Sequence, residues 1–167
     1  ASIAAFDSPA AEIVIAVFMI LFGINFNLYF FIVRKDLRSA LKSEELHWYA
    51  GIIAASVFGI ATGIRKMYGG FAAALRYAFF NVASIISTTG FGNTDFVKWP
   101  EYCKFILVLL MLCGACAGST GGGIKVSRVM ILIKSAAADL GHAISPRRVC
   151  SVYADGKRVP SAEIASV

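Results

Sequence analysis

Long apolar stretches separated by short charged ones set the plan of this chain. The run from Ile13 to Val33 carries no charged residue, and the run from Tyr102 to Ala115 carries one, Lys104. A helix needs about 20 residues to cross the hydrocarbon core of a bilayer. The pattern predicts a first membrane helix over about Glu12 to Val33, led in by Asp7-Ser8-Pro9, where proline suits a first helical turn. A second helix is predicted from about Leu46 to Ile64. The stretch from Phe71 to Ile86 is sixteen residues long, short for a span and suited to a re-entrant helix. A last helix is predicted from Tyr102 to Cys116, about 22 Å long. The residues from Val126 to Ala138 continue it beyond a glycine-rich break.

Composition agrees with a membrane protein. Hydrophobic residues make up 58% of the 167 residues, the mean hydropathy is +0.72, and charged residues are 16%, against about 25% in an ordinary soluble domain. The rival, a buried helical core in a soluble protein, must accommodate several such stretches in one small chain. The net charge of +6 does not point to nucleic acid: the charges sit in linkers and in the tail, with no interleaving of basic and aromatic residues. Such placement orients a membrane protein. The connection from Arg34 to Glu45, with four basic and three acidic residues, reads as cytoplasmic. Arg65 and Lys66 run mildly against it at the opposite end. His47, Trp48 and Tyr49 fall where an interfacial belt is expected, and Trp99 reads as an outer-interface anchor. The N-terminus lacks the basic leader of a signal peptide.

Polar residues and breaks inside this pattern carry the chemistry. Asn25 and Asn27 interrupt the first apolar run and are expected to face protein or a water path. Arg76 and Asn81 lie in the short helix, where lipid exposure would penalise them. Gly59 and Gly63 have the spacing of close helix packing. Ser87-Thr88-Thr89-Gly90-Phe91-Gly92-Asn93-Thr94-Asp95 follows the short helix. Irregular backbone at membrane depth is tolerated only against protein or a water-filled cavity, and a helix C-terminus there favours a cation. Gly90 and Gly92 permit dihedrals that other residues resist, so the carbonyls of Thr88, Thr89 and Gly90 are candidate ion ligands, as in potassium filters. Asp95, and less so Glu101, would draw cations to such a mouth. The second break, Gly118-Ser119-Thr120-Gly121-Gly122-Gly123 before Ile124-Lys125, falls short of the far interface, where a flexible segment would narrow a path. It is not a phosphate loop: no Ser or Thr follows the lysine, and a membrane helix rather than a strand precedes it. Cys113 and Cys116 would share a helical face as small packing residues rather than a metal or redox pair. Cys103 lies near the same helix and Cys150 in the tail. His47 and His142 lack a metal-site spacing, and there is no catalytic dyad. A membrane enzyme would need a polar pair in the bundle, for which Asn25 and Asn27 are poor candidates. Val149 to Tyr153 and Arg158 to Pro160 could form a small hairpin around Asp155-Gly156.

Phe80 to Asp95 and Cys116 to Lys125, together with Gly23-Ile24-Asn25-Phe26-Asn27 and Ser43-Glu44-Glu45-Leu46, resemble the Trk/Ktr/HKT superfamily of potassium transporters, and most closely its bacterial Trk-type membrane subunit. The resemblance implies an all-α integral membrane fold, a helix-pore-helix repeat with a re-entrant pore helix and filter loop, forming part of a pseudo-fourfold channel-like bundle. On that plan residues 1–45 hold the final helix of one pore unit and a cytoplasmic linker. Residues 46–138 form the next unit with a broken inner helix, and 139–167 a cytoplasmic connector. Units on either side are missing, so the chain is expected to be a piece of a longer polypeptide. The resemblance implies potassium uptake without enzymatic chemistry. It places the filter at Thr88, Thr89, Gly90 and Phe91, with Gly90 as the hallmark glycine, and a gate at Gly118, Ser119, Thr120, Gly121, Gly122 and Gly123. It implies K+ as transported ion and no organic cofactor. Its implied partners are the lipid bilayer, the remaining pore units, a second copy in a homodimer and a cytosolic nucleotide-binding regulatory subunit. It implies a multi-pass place in the bacterial cytoplasmic (inner) membrane. The alternative is a membrane scaffold or assembly fragment that conducts nothing alone.

Overall fold

The computed structural model describes residues 3–6, 8–36, 42–144, 153–154 and 157–158. Cys150, Ser145-Pro146-Arg147-Arg148, the Asp155-Gly156 turn and the middle of the charged connection lie outside the described residues.

Helix α1 (Pro9–Phe22) starts where Ser8 Oγ accepts the Ala11 N–H at 3.5 Å and proline occupies the first helical position. It does not continue to Val33. The chain turns at Gly23-Ile24-Asn25 and resumes as α2 (Phe26–Val33), bent by 94° from α1. Asn25 makes the restart by accepting the Asn27 N–H on its Oδ1 at 2.9 Å, which is N-capping. The asparagine expected inside a straight span is therefore the cap of a new helix, and Asn27 is exposed.

Helix α3 (Glu44–Ile64) is, among the described residues, the one helix long and apolar enough by itself to cross a membrane; α1 with α2 passes the same test as a bent pair. Tyr49, Ile53, Val57, Ile60 and Ile64 form its buried stripe, the 3.6-residue period of a packed helix face. α4 (Phe71–Ile86) packs on α3 and on α1, with Ala74, Ala78, Val82 and Ile86 turned to the main core. Arg76 is engaged by protein: its Nε lies 3.2 Å from Oε2 of the buried Glu12 on α1, and its guanidinium stacks 4.8 Å over the Tyr77 ring.

α5 (Glu101–Leu112) packs closely against α3. A Cβ at Gly63 would run into Tyr102 Oη, and one at Gly59 would sit 3.4 Å from Ile106, so the small-residue spacing does mark a helix contact. α5 ends earlier than the triple glycine implies. Cys113 is extended and bridges in parallel to Ile124. Gly114 N–H donates to Ile124 O at 2.7 Å and Val126 N–H to Ala115 O at 3.3 Å. Cys113 and Cys116 consequently do not share a helical face, because the backbone between them is paired with residues 124–126. α6 (Val126–Ile144) follows and runs past Asp139. The strands β1 (Tyr153–Ala154) and β2 (Lys157–Arg158) pair antiparallel around the two-residue position expected for the hairpin.

Large apolar side chains remain on the outside, among them Phe18, Phe30, Val33, Phe58, Phe105 and Leu112. So much exposed apolar surface calls for lipid or further protein around the bundle.

Candidate ion pathway

The segment after α4 turns back along the helix that precedes it. Three polar side chains along one side of α4 and its C-cap, at positions 81, 84 and 87, meet the returning chain in succession. Asn81 Nδ2 donates to Asn93 Oδ1 at 2.9 Å, Ser84 Oγ to the Phe91 carbonyl at 2.6 Å, and Ser87 Oγ bonds Thr89 Oγ1 at 2.8 Å. The Thr89 and Gly90 N–H groups both reach Ser84 O, at 3.0 and 3.3 Å. Further along, Tyr68 Oη bonds Thr94 Oγ1 at 2.7 Å and accepts Trp99 Nε1–H at 3.0 Å. Trp99, expected at an interface, is 2% exposed and belongs to the core. Its indole is held inside because Tyr68 satisfies the N–H.

The backbone itself is bent into the left-handed region at Thr88 (φ 57°) and Gly90 (φ 77°). Glycine takes that region freely, and a Cβ at Gly90 would meet nothing within 4 Å, so the dihedral and not the space calls for glycine there. Thr88, β-branched, is a genuine outlier; such strain, about 1–3 kcal/mol, persists where surroundings over-determine the conformation. Here Thr88 N–H donates to Ile85 O at 3.0 Å, and Thr88 Oγ1 accepts the Gly122 N–H at 2.9 Å. None of the hydrogen bonds in the described residues ends on the Thr88, Thr89 or Gly90 carbonyl. Phe91 differs from its three candidate neighbours, since its carbonyl is occupied by Ser84.

The glycine loop lies against the Thr88 end of this turn. Its amides cap the broken end of α1: Cys116 N–H donates to Gly23 O at 3.0 Å, and Thr120 Oγ1 and N–H reach Phe22 O at 3.2 and 3.5 Å. In return Phe26 N–H donates to Gly118 O at 3.2 Å. These bonds explain why α1 can break, because carbonyls freed at the helix end find donors. Glu45 Oε1 accepts the Ala117 N–H at 2.6 Å, and Lys125 Nζ donates to Gly121 O. Ser87, Thr89 and Phe91 from one loop and Thr120 from the other line a cavity of about 450 Å³ together with Phe18 and Phe22. The C-terminal ends of α1 and α4 both border it, and Val14, Ile15 and Met19 of α1 make the rest of its wall apolar.

The remaining sequence candidates are locally engaged. Asp95 accepts the Val97 N–H at 3.1 Å and pairs with Lys98 at 3.9 Å; Glu101 pairs with Lys104 at 2.8 Å. His47 is exposed, with Nδ1 2.8 Å from Ser43 O. Sequence reasoning missed the Glu45–Ala117, Asn81–Asn93 and Ser84–Phe91 bonds. The signal for the last two was present, as polar residues spaced by three on an otherwise apolar helix.

Comparison with known proteins places this geometry. The family profile of TrkH, described as a cation transport protein, matches residues 62–167. The chain is 30% identical over 163 residues to the Trk system potassium uptake protein TrkH of Salmonella typhimurium, covering 96% of this chain and 34% of the relative. It is 32% identical over 167 residues to TrkH of Halomonas elongata, with the same coverages. The crystal structure of the potassium transporter TrkH from Vibrio parahaemolyticus superposes with a TM-score of 0.91 at 29% identity, covering 99% of this chain and 36% of that one. The chain thus spans about a third of the length of these relatives. With the matched profile covering most of its residues, the chain belongs to the TrkH family of cation transport proteins.

Proposed function

We propose that this chain supplies one quarter of a potassium-selective pore in a bacterial cytoplasmic membrane, with α4 as a re-entrant pore helix. K+ would shed water onto the carbonyls of Thr88, Thr89 and Gly90, in the manner of carbonyl-lined filters, and the glycine loop beneath would open and close the path. The observation that carries this reading is the strained turn at Thr88 and Gly90. It is held by side chains behind it, while among the described residues no protein donor reaches its three successive carbonyls. Potassium uptake by the named relatives supports the choice of ion. One turn cannot close a ring, so further pore units of the parent polypeptide would complete the filter. The segment by itself would then conduct nothing, which is the scaffold reading applied to the isolated piece. A second copy and a cytosolic nucleotide-binding subunit are the partners this assignment brings with it.

Gly90→Ala in the full-length transporter tests the filter. Space is available for the methyl, but the left-handed backbone costs an L-residue about 1–2 kcal/mol. The expected result is roughly a tenfold fall in K+ uptake or in K+ over Na+ preference, read by ion flux into proteoliposomes. Unchanged uptake together with unchanged preference removes Gly90 from the filter.

A further inference from the structure

Glu45 is an ionisable side chain held inside the fold, 7% exposed, in the first turn of α3. A buried carboxylate is costly unless it is hydrogen-bonded. Its Oε1 accepts the backbone N–H of Ala117, a residue 72 positions away, at 2.6 Å; this is a charge-assisted bond and a strong one. Ala117 is the second residue of a turn over Cys116–Ser119, closed by Ser119 N–H donating to Cys116 O at 3.2 Å, with Gly118 at φ 68°. That is a type II turn, and such a turn makes no use of the N–H of its second residue. The amide is therefore available to an outside acceptor, and Glu45 provides it. The base of α3 is itself fixed, since Glu44 Oε2 lies 2.5 Å from Lys134 Nζ on α6. Adjacent carboxylates on one helical turn thus reach the entrance of the glycine loop and the helix that leaves it.

We propose that Glu45 is the positioning residue of the glycine loop, holding it across the ion path through the Ala117 amide. The inference rests on the gate assignment above. It is tested in the full-length transporter by single-channel recording in planar bilayers of phosphatidylethanolamine and phosphatidylglycerol. Glu45→Ala is expected to raise the open fraction about tenfold and to leave the K+/Na+ permeability ratio unchanged. Glu45→Gln keeps an acceptor oxygen and is expected to stay near the wild type. Ala117→Pro removes the N–H at a turn position that proline suits and is expected to give the same rise. Combining Ala117→Pro with Glu45→Ala should give no more than the larger single rise, because the second change also removes the carboxylate that the first leaves unpaired. Equal behaviour of Glu45→Ala and Glu45→Gln, additive effects in the double variant, or an unmoved open fraction would each overturn the assignment. If Glu45→Ala does not accumulate in the membrane, Ala117→Pro against wild type decides. Shortening Gly121 to Gly123 separates the two levels of the claim. A shift there with none in Glu45→Ala removes Glu45 alone, whereas no shift in either removes the gate.

Discussion

The two loops that meet at Thr88 are held in opposite ways. The side chains of the preceding helix brace the turn after α4, with Asn81, Ser84 and Ser87 reaching partners two to twelve positions along the chain, and Ile3 N–H adds one distant tie to Gly92 O at 3.0 Å. The glycine loop borrows its support from distant elements. Its bonds run to Glu45, 72 positions away, and to Phe22, 98 positions away. A turn bonded mainly to its own helix moves largely with that helix. A loop tied to three other elements changes whenever those elements shift against one another. The difference assigns a rigid task to the first loop and a responsive one to the second, within the pore reading proposed here.

The largest expected effect comes from Asn81→Leu. Leucine fills a similar volume but cannot donate to Asn93 Oδ1 or to the Tyr77 carbonyl, both at 2.9 Å. Asn93 is 6% exposed, and its Nδ2 already has no partner among the described residues. Leaving its oxygen unpaired as well costs about 1–3 kcal/mol. In the full-length transporter the thermal midpoint should fall and K+/Na+ discrimination should weaken, while the open fraction stays level. A shifted open fraction with intact discrimination would break the contrast between the loops. Ser84→Ala is a milder version. It frees the Phe91 carbonyl at a cost of about 1 kcal/mol, and a smaller loss of discrimination is expected in the same flux assay.

These two variants also mark what the residue pattern alone makes legible. The bounds of α4, Phe71–Ile86, follow from the apolar run and its polar end, and α3 begins within two residues of the expected place. Both are governed by local pattern. The break between α1 and α2 was not legible, because Ile13 to Val33 is apolar without interruption by charge. Gly23 and Asn25 become a stop and a cap only when donors from Cys116 and Thr120 are present to take the freed carbonyls. The end of α5 at Leu112 has the same origin. Nothing between Cys113 and Cys116 forbids a helix, but pairing with residues 124–126 replaces it. That Trp99 packs into the fold was not legible, because burial of its N–H depends on Tyr68, 31 positions away. The candidate filter residues were recognisable from glycine and threonine, whereas the bond from Glu45 to Ala117 was not, because its partners lie 72 positions apart.

Thr88→Val has the smallest expected effect and bears most directly on where one loop ends and the other begins. Both side chains are branched at Cβ, so the left-handed backbone at φ 57° is equally strained in each, and the difference is the hydroxyl. That hydroxyl accepts the Gly122 N–H at 2.9 Å at an exposed position, where a lost hydrogen bond is worth about 0.5–1 kcal/mol. If the bond serves the glycine loop, single-channel recording of the full-length variant should show an open fraction raised roughly two- to fivefold, with the K+/Na+ permeability ratio unchanged. A fall in that ratio with an unmoved open fraction would place the hydroxyl with the filter. The local network would then extend through Thr88, and the boundary between the rigid and the responsive loop would lie at Gly122.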